Sequence, residues 1–322
     1  MSGQPVTAAA DGTVPSVAEG LADGDRIRAV PLRHPGRWVT SAVLVFVLVF
    51  LVQGWAANPR MQWATVGEFL FAPVVLEGLR TTLLLTVAAM AIGIVGGVAV
   101  AVLRMSANPV LARLSALYIW VFRGTPLLVQ LLFWYFLSAI VPVIGFGVPW
   151  GPTFFQVETN RLITQLTAAV LGLGLHEAAY MAEIVRAGLS SVDEGQSEAA
   201  HALGMTRRQT LRRIVLPQAL RLIIPPTGNQ AISMLKTTSL VFAIAVPELL
   251  TSIQGIYSRN FQQVPLLAVA CVWYLVATSV LNVGQYYLER RFRRGAGRGG
   301  AGRGSAGRRR RPAVTPSAEP RP

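Results

Sequence analysis

Six stretches of this chain are apolar over enough residues to cross a bilayer, and the charged residues are gathered between them. A spanning helix needs about 20 mostly apolar residues. Trp38 to Ala57 and Thr81 to Leu103 meet this with no charge at all, and the second is rich in glycine at Gly93, Gly96 and Gly97. Small residues at that spacing allow close helix contact in lipid. Leu114 to Ile140 carries Arg123, Leu162 to Ile184 carries Glu177 and Glu183, Leu220 to Val246 carries Lys236, and Phe261 to Leu288 is uncharged. The pattern predicts an all-α polytopic membrane protein with about six transmembrane helices. The first stretch reads as a retained span, because 37 residues with four acids precede it and its apolar run is long for a secretory signal.

Charge sets an orientation. The connections that would lie inside hold Arg26, Arg28, Arg33 and Arg37, then Arg104 and Arg113, then Arg186, Arg207, Arg208, Arg212, Arg213 and Arg221. Those outside hold only Arg60, Arg80, Arg161 and Arg259. Inner loops carry the excess of Lys and Arg, so both termini are expected in the cytoplasm.

Composition agrees with the pattern: 52% of the 322 residues are hydrophobic, 14% are charged, and the net charge is +14. Residues 290–322 hold eleven arginines and one acid, a net of +10, so residues 1–289 carry only +4. Residues 1–37 read as a mobile N-terminal segment, and residues 291–322 as a disordered Arg/Gly-rich tail that cannot bury a core. Such a tail can lie on anionic lipid or bind RNA, but a solvated tail reinforcing the inner position of the C-terminus is the plainer reading. Nucleic acid is disfavoured as a partner, and contact with membrane lipids is expected.

Several chemistries are excluded. One cysteine, Cys271, allows neither an internal disulfide nor a multi-Cys zinc site. The three histidines, His34, His176 and His201, form no H-E-x-x-H pair. A phosphate-binding loop needs G-x(4)-G-K-[ST], and Lys236, the chain's one lysine, follows Leu235. The chain therefore carries no such ATP site, and no catalytic residue, metal or cofactor is assigned to it.

The connection after the fourth span reads GQSEAAHALGMTRRQTLRRIVLP from Gly195 to Pro217. It predicts a short helix over Asp193 to Leu203, capped by Ser190, Ser191 or Asp193. Gly204 then takes the left-handed position. Thr206 and Gln209 form a T-x-x-Q capping box for a second helix. Pro217 fits the first turn of the fifth span. Ala199, Ala200 and Leu203 are expected on one side, small enough for close approach by a partner.

Glu198-Ala199-Ala200, Gly204, Ile214, Leu216 and Pro217 stand at the spacings of the EAA motif, so the chain resembles the membrane subunits of bacterial ABC importers. Phe122–Gln130 (FRGTPLLVQ), Ala178–Arg186 (AAYMAEIVR), Leu216–Leu220 (LPQAL), Lys236–Leu240 (KTTSL) and Val246–Leu249 (VPEL) are similar to permeases for polar amino acids, the histidine/glutamate/glutamine/arginine/opine group. The resemblance covers a five-helix permease domain at residues 76–290, with residues 38–57 as an extra helix. Thr237 departs from it, since that family commonly has Asp there. The resemblance implies a permease in the cytoplasmic membrane. It also implies ABC ATPase subunits that bind ATP and Mg and grip the EAA element as a coupling helix, a second permease subunit (like or unlike), and an extracytoplasmic substrate-binding protein.

Charged and polar residues within spans are costly and usually face a bundle interior or water. Glu177, Asn229, Gln230, Lys236, Thr238, Ser239 and Arg123 are therefore the candidates for the substrate path. Each has a plainer alternative. Lys236 can fix helix packing, Arg123 can pack at the break that Gly124-Thr125-Pro126 puts in its helix, and Glu183 and Arg186 can form a local ion pair. Asn229 and Gln230 follow Pro225-Pro226-Thr227-Gly228, where a kink is expected. The rival from another class is an ion-coupled secondary carrier using His176, Glu177 and Lys236. A third is a membrane-anchored protein that works through its tail.

Overall fold

A computed structural model of the chain describes residues 35–147 and 153–293. Residues 1–34 and 294–322, with almost all of the N-terminal segment and the Arg/Gly-rich tail, lie outside the described residues. Two units divide at Asn58/Pro59. The first contains α1 (Pro35–Ala56), whose apolar side chains from Trp38 to Trp55 are all exposed. A helix apolar all round suits lipid rather than water.

The second unit contains α2 (Trp63–Leu70), α3 (Pro73–Arg104), α4 (Pro109–Gly124), α5 (Leu127–Tyr135) and the short α6 (Leu137–Ile140). A two-stranded antiparallel hairpin follows, β1 (Val143–Gly147) and β2 (Thr153–Glu158), pairing Val143 with Glu158 and Ile144 with Val157. The rest is helical: α7 (Thr159–Leu162), α8 (Gln165–Ser190), α9 (Glu194–Ala202), α10 (Arg207–Thr210), α11 (Leu216–Thr237), α12 (Leu249–Asn260) and α13 (Gln263–Arg293).

Among the described residues, four helices are long and apolar enough to span a membrane: α1, α3, α8 and α13. Two bent pairs bring the number to six. The class is the helical membrane protein expected, with the hairpin added.

The break expected at Gly124-Thr125-Pro126 in the third stretch is present, where α4 and α5 meet at 103°. Pro126 disfavours helical backbone at Thr125, which is extended at φ −112°, ψ 144°. At Pro225–Gly228, where a kink is expected, α11 runs on through both prolines as one helix. Pro225 and Pro226 remove the donors to the Arg221 and Leu222 carbonyls; the next carbonyl, Ile223, accepts from the Thr227 hydroxyl at 2.8 Å. The break comes later, between Ile244 and Leu249, where α11 and its 3-10 continuation (Thr238–Ile244) meet α12 at 48°.

The seam between α3 and α8 is the centre of the fold, and it is built on glycine. A Cβ on Gly97 would stand 2.4 Å from the Met181 Cβ, and one on Gly93 would stand 2.5 Å from the Glu177 Cγ. The close approach expected of these small residues is present. Three apolar clusters surround the seam. One joins Leu85 and Met90 to Leu131, Leu173, Met234 and Val241. Another joins Val75 to Leu249, Ile253, Leu266 and Val269. The last joins Ala101 and Ile119 to Met181, Val185 and Ile223.

Candidate functional site

The α8–α11 connection is a capped helix–Gly–helix element. Asp193 caps α9, its Oδ1 accepting from the Gly195 N–H at 2.8 Å. Gly204 ends the helix at φ +78°. Its N–H donates to the His201 carbonyl at 2.9 Å and that of Met205 to the Ala200 carbonyl at 3.0 Å, the bonding of a Schellman turn. Thr206 then opens α10 with a complete capping box, its N–H donating to Gln209 Oε1 at 2.8 Å. Each turn is satisfied locally, so the element keeps its shape while projecting from the fold. Glu198, Ala199 and Gly204 are exposed, and Leu203 is 83% exposed.

Ala200 does not share that face. It is buried in its own chain, because adjacent helical residues point about 100° apart. The second helix is not separate from the span either. α10 enters α11 through a π turn at Leu211–Val215, closed by the Leu216 N–H on the Leu211 carbonyl. Ile214 lies in this wide turn, with Leu216 and Pro217 just beyond it. The turn admits Pro217, which lacks an N–H and crowds the carbonyl four residues back.

A second polar site lies inside the helices. Glu177 is 3% exposed on α8 and packed on Gly93 of α3, with the Gln230 side chain of α11 beside its carboxyl. Its Oε1 has no partner among the described residues. Glu177 and Gln230, 53 residues apart in the chain, are thus brought together. His176 points elsewhere, as neighbouring helical residues must. Its Nδ1 is 3.3 Å from Gln130 Oε1, and its ring lies on Tyr180.

Gln130 holds the α4/α5 elbow. Its Nε2 lies 2.9 Å from the Phe122 carbonyl, 3.1 Å from the Thr125 carbonyl and 2.7 Å from Thr125 Oγ1. A cavity of about 300 Å³ opens beside it, lined by Phe122, Val129, Phe133 and Trp134 among others. Arg123 is exposed, its guanidinium 5.1 Å from the centre of the Tyr180 ring. Glu183 and Arg186 form the local pair expected, at 2.7 Å.

The other candidates are placed differently. Lys236 is exposed rather than inside the bundle, and forms no ion pair among the described residues. Thr238 is buried with its hydroxyl donating to the Leu235 carbonyl, and Ser239 donates to the Lys236 carbonyl, both at 2.7 Å. These bonds tighten the chain into its 3-10 segment and occupy the hydroxyls. Asn229 Oδ1 accepts from Gln285 Nε2 at 2.9 Å, clipping α11 to α13. Thr237, where an acid was expected, donates to the Ser233 carbonyl at 2.9 Å.

Glu248, within the Val246–Leu249 stretch, is fully buried. Its Oε1 accepts from the Thr251 N–H at 2.8 Å and its Oε2 from the Tyr274 hydroxyl at 2.9 Å. The sequence signal was available: a lone acid just after Pro247, three residues before Thr251, at a helix start. Among the described residues, no group of three or more His, Cys, Asp or Glu side chains is placed to hold a metal ion.

Comparison with known proteins gives a consistent result. The binding-protein-dependent transport system inner membrane component family matches residues 91–294. The arginine transport system permease protein ArgU of Corynebacterium glutamicum is 48% identical over 84% of this chain and 85% of its own length. The glutamine transport system permease protein GlnP of Escherichia coli is 35% identical over 73% of this chain and 99% of its own. A crystal structure of an amino acid ABC transporter with histidines superposes with TM-score 0.60 at 33% identity, over 70% of this chain and 97% of that one.

Proposed function

Because this chain belongs to the family of binding-protein-dependent transport system inner membrane components, as a permease subunit of a bacterial ABC importer, we propose that it conducts a polar amino acid into the cell, with arginine the first to test. The observation that carries this reading is the α9–Gly204–α10 element, whose caps and left-handed turn hold Glu198 and Ala199 outward. A carrier driven by an ion gradient has no use for such an element, and the named relatives are ABC permeases. Arginine is suggested by the 48% identical relative and by the buried Glu177 carboxylate with one oxygen unpartnered.

The parts then take roles. Separate ATPase chains bind ATP and Mg and grip Glu198, Ala199 and Gly204. Their closure passes through Ile214, Leu216 and Pro217 into α11, since the π turn makes α10 and the span one continuous helix. Glu177 and Gln230 meet the substrate's polar groups. Asn229, Thr238 and Ser239 shape the backbone of the path. Arg123 and Lys236, both exposed on the single chain, face the shared path or a second permease subunit. An extracytoplasmic binding protein delivers substrate, and rigid-body rocking gives alternating access. Both termini lie in the cytoplasm, and lipid covers the apolar exteriors of α1, α3 and α13.

The test is reconstitution with an ATPase subunit and binding protein in proteoliposomes. ATP-dependent uptake of labelled arginine, competed by some polar amino acids and not others, is expected. Glu177→Ala should lose uptake while keeping ATPase association. Uptake that persists without the ATPase, driven by an ion gradient alone, refutes the importer.

A further inference from the structure

The β1–β2 hairpin has two unlike faces. Side chains alternate between the faces of a strand. Ile144 pairs with Val157, Val143 with Glu158 and Gly145 with Gln156. Ile144, Val157 and Phe155 therefore share one face, and Gln156 and Glu158 share the other. On the polar face Gln156 lies over Gly145, where a Cβ would come 3.1 Å from the Gln156 Cγ, and Glu158 pairs with Arg161 at 3.0 Å. On the apolar face Ile144 is 37% and Phe155 61% exposed, and Phe154, which the pairing skips, is exposed too. Among the described residues, none of these three joins an apolar cluster of the fold.

The foot of the hairpin is fixed. The Thr159 N–H donates to the Pro142 carbonyl at 3.0 Å, its hydroxyl donates to the Val141 carbonyl, and Thr159 itself is buried. This foot stands just before α8, whose 26 residues reach about 39 Å at 1.5 Å per residue, enough to cross a hydrocarbon layer of about 30 Å. The far end of α8 leads into the α9–Gly204–α10 element. The hairpin therefore emerges at the level of the opposite, outer headgroups. Charge and continuity then identify what covers its apolar face. From Gly124 to Val157 the sequence has no charged residue, whereas a surface for a soluble protein carries a polar rim. Exposed apolar side chains run on along the chain from Phe133, Phe136, Ile140 and Val141 to Ile144, so the face continues the apolar exterior of α5 and α6.

We propose that the hairpin is an interfacial anchor, its Ile144–Phe155–Val157 face resting among the upper acyl chains of the outer leaflet and its Gln156–Glu158 face turned to water. Apolar and aromatic side chains of interfacial segments sit at this headgroup–acyl boundary. The free strand edges set the depth, because unpaired backbone groups are not tolerated in the hydrocarbon itself. The choice of leaflet rests on the importer reading, through the inward position of the coupling element. The burial of one hairpin face in lipid does not, so the two readings fail separately.

The experiment measures depth in the whole complex, in liposomes of phosphatidylethanolamine and phosphatidylglycerol. The exposed Cys271 is first removed as Cys271→Ser. A nitroxide is then attached, one site at a time, at Ile144→Cys and Phe155→Cys on the apolar face and at Val143→Cys and Gln156→Cys on the other. Collision with oxygen, which concentrates in lipid, is compared with collision with a water-soluble nickel chelate. The oxygen-to-nickel ratio should be several-fold higher at Ile144→Cys and Phe155→Cys than at Val143→Cys and Gln156→Cys. The two apolar-face labels lie on different strands, so either one reads that face if the other variant fails to insert. Equal nickel contact on both faces overturns the proposal. So does shielding of the apolar face from both reagents, the mark of a second permease subunit over it, or exclusion of nickel only after the binding protein is added.

Discussion

Gly204 offers the sharpest test of the coupling element. It stands at φ +78°, and a Cβ added there would meet nothing within 4 Å. Within this chain the effect of substitution is therefore backbone strain and not a clash. Left-handed backbone costs an L-residue roughly 1–2 kcal/mol. A Gly→Ala change regains about 0.4–1 kcal/mol by restricting the unfolded chain, so Gly204→Ala should lose little. Valine adds β-branching, which makes positive φ an outlier, and should carry at least the full penalty. At 1.4 kcal/mol per tenfold, that is a loss of about five- to thirtyfold in the population of the docking-competent turn. ATPase affinity should fall by the same factor, because only the ordered element binds. Asparagine tolerates the left-handed region and should stay near wild type. The assay is titration of detergent-solubilised permease with labelled ATPase subunit, with membrane insertion as the control. An affinity for Gly204→Val within twofold of wild type, or an order other than Gly, Asn, Ala, Val, refutes the assignment.

Asp193→Ala removes the cap of α9 and should destabilise that helix by about 1 kcal/mol, read as roughly fivefold weaker ATPase binding with transport chemistry intact. Gly97→Val places a side chain 2.4 Å from the Met181 Cβ; overpacking of this kind costs about 1–3 kcal/mol, so the melting temperature in detergent should drop. Gly67→Ala, with open space around it, should leave that temperature within a degree or two and serves as the control. Glu177→Ala should abolish uptake and leave both ATPase binding and the melting temperature close to wild type.

Much of this molecule was legible in one dimension because membrane helices obey simple rules. Lipid offers the backbone no partner, so a run such as Trp38–Ala57 has one outcome. The caps are equally local: Asp193, Gly204 and the Thr206/Gln209 box involve residues within a few positions, and each forms as its spacing requires. The bend at Gly124-Thr125-Pro126 is a property of proline and its predecessor.

What the sequence left open depends on neighbours. Glycine allows a close approach, but only the packing shows that Gly93 meets Glu177 and that Gln230 arrives from a third helix. Pro225-Pro226 is carried inside α11, while the break at Ala245–Glu248 is bonded by Thr82 and Tyr274, both remote in sequence. Lys236 reads as an interior charge and is exposed, while Glu248 is wholly buried. Local backbone preference determined the helices, their caps and one bend. Which polar side chain lies inside was decided by the three-dimensional match of donors to acceptors, since a charge is buried only where other elements supply its hydrogen bonds.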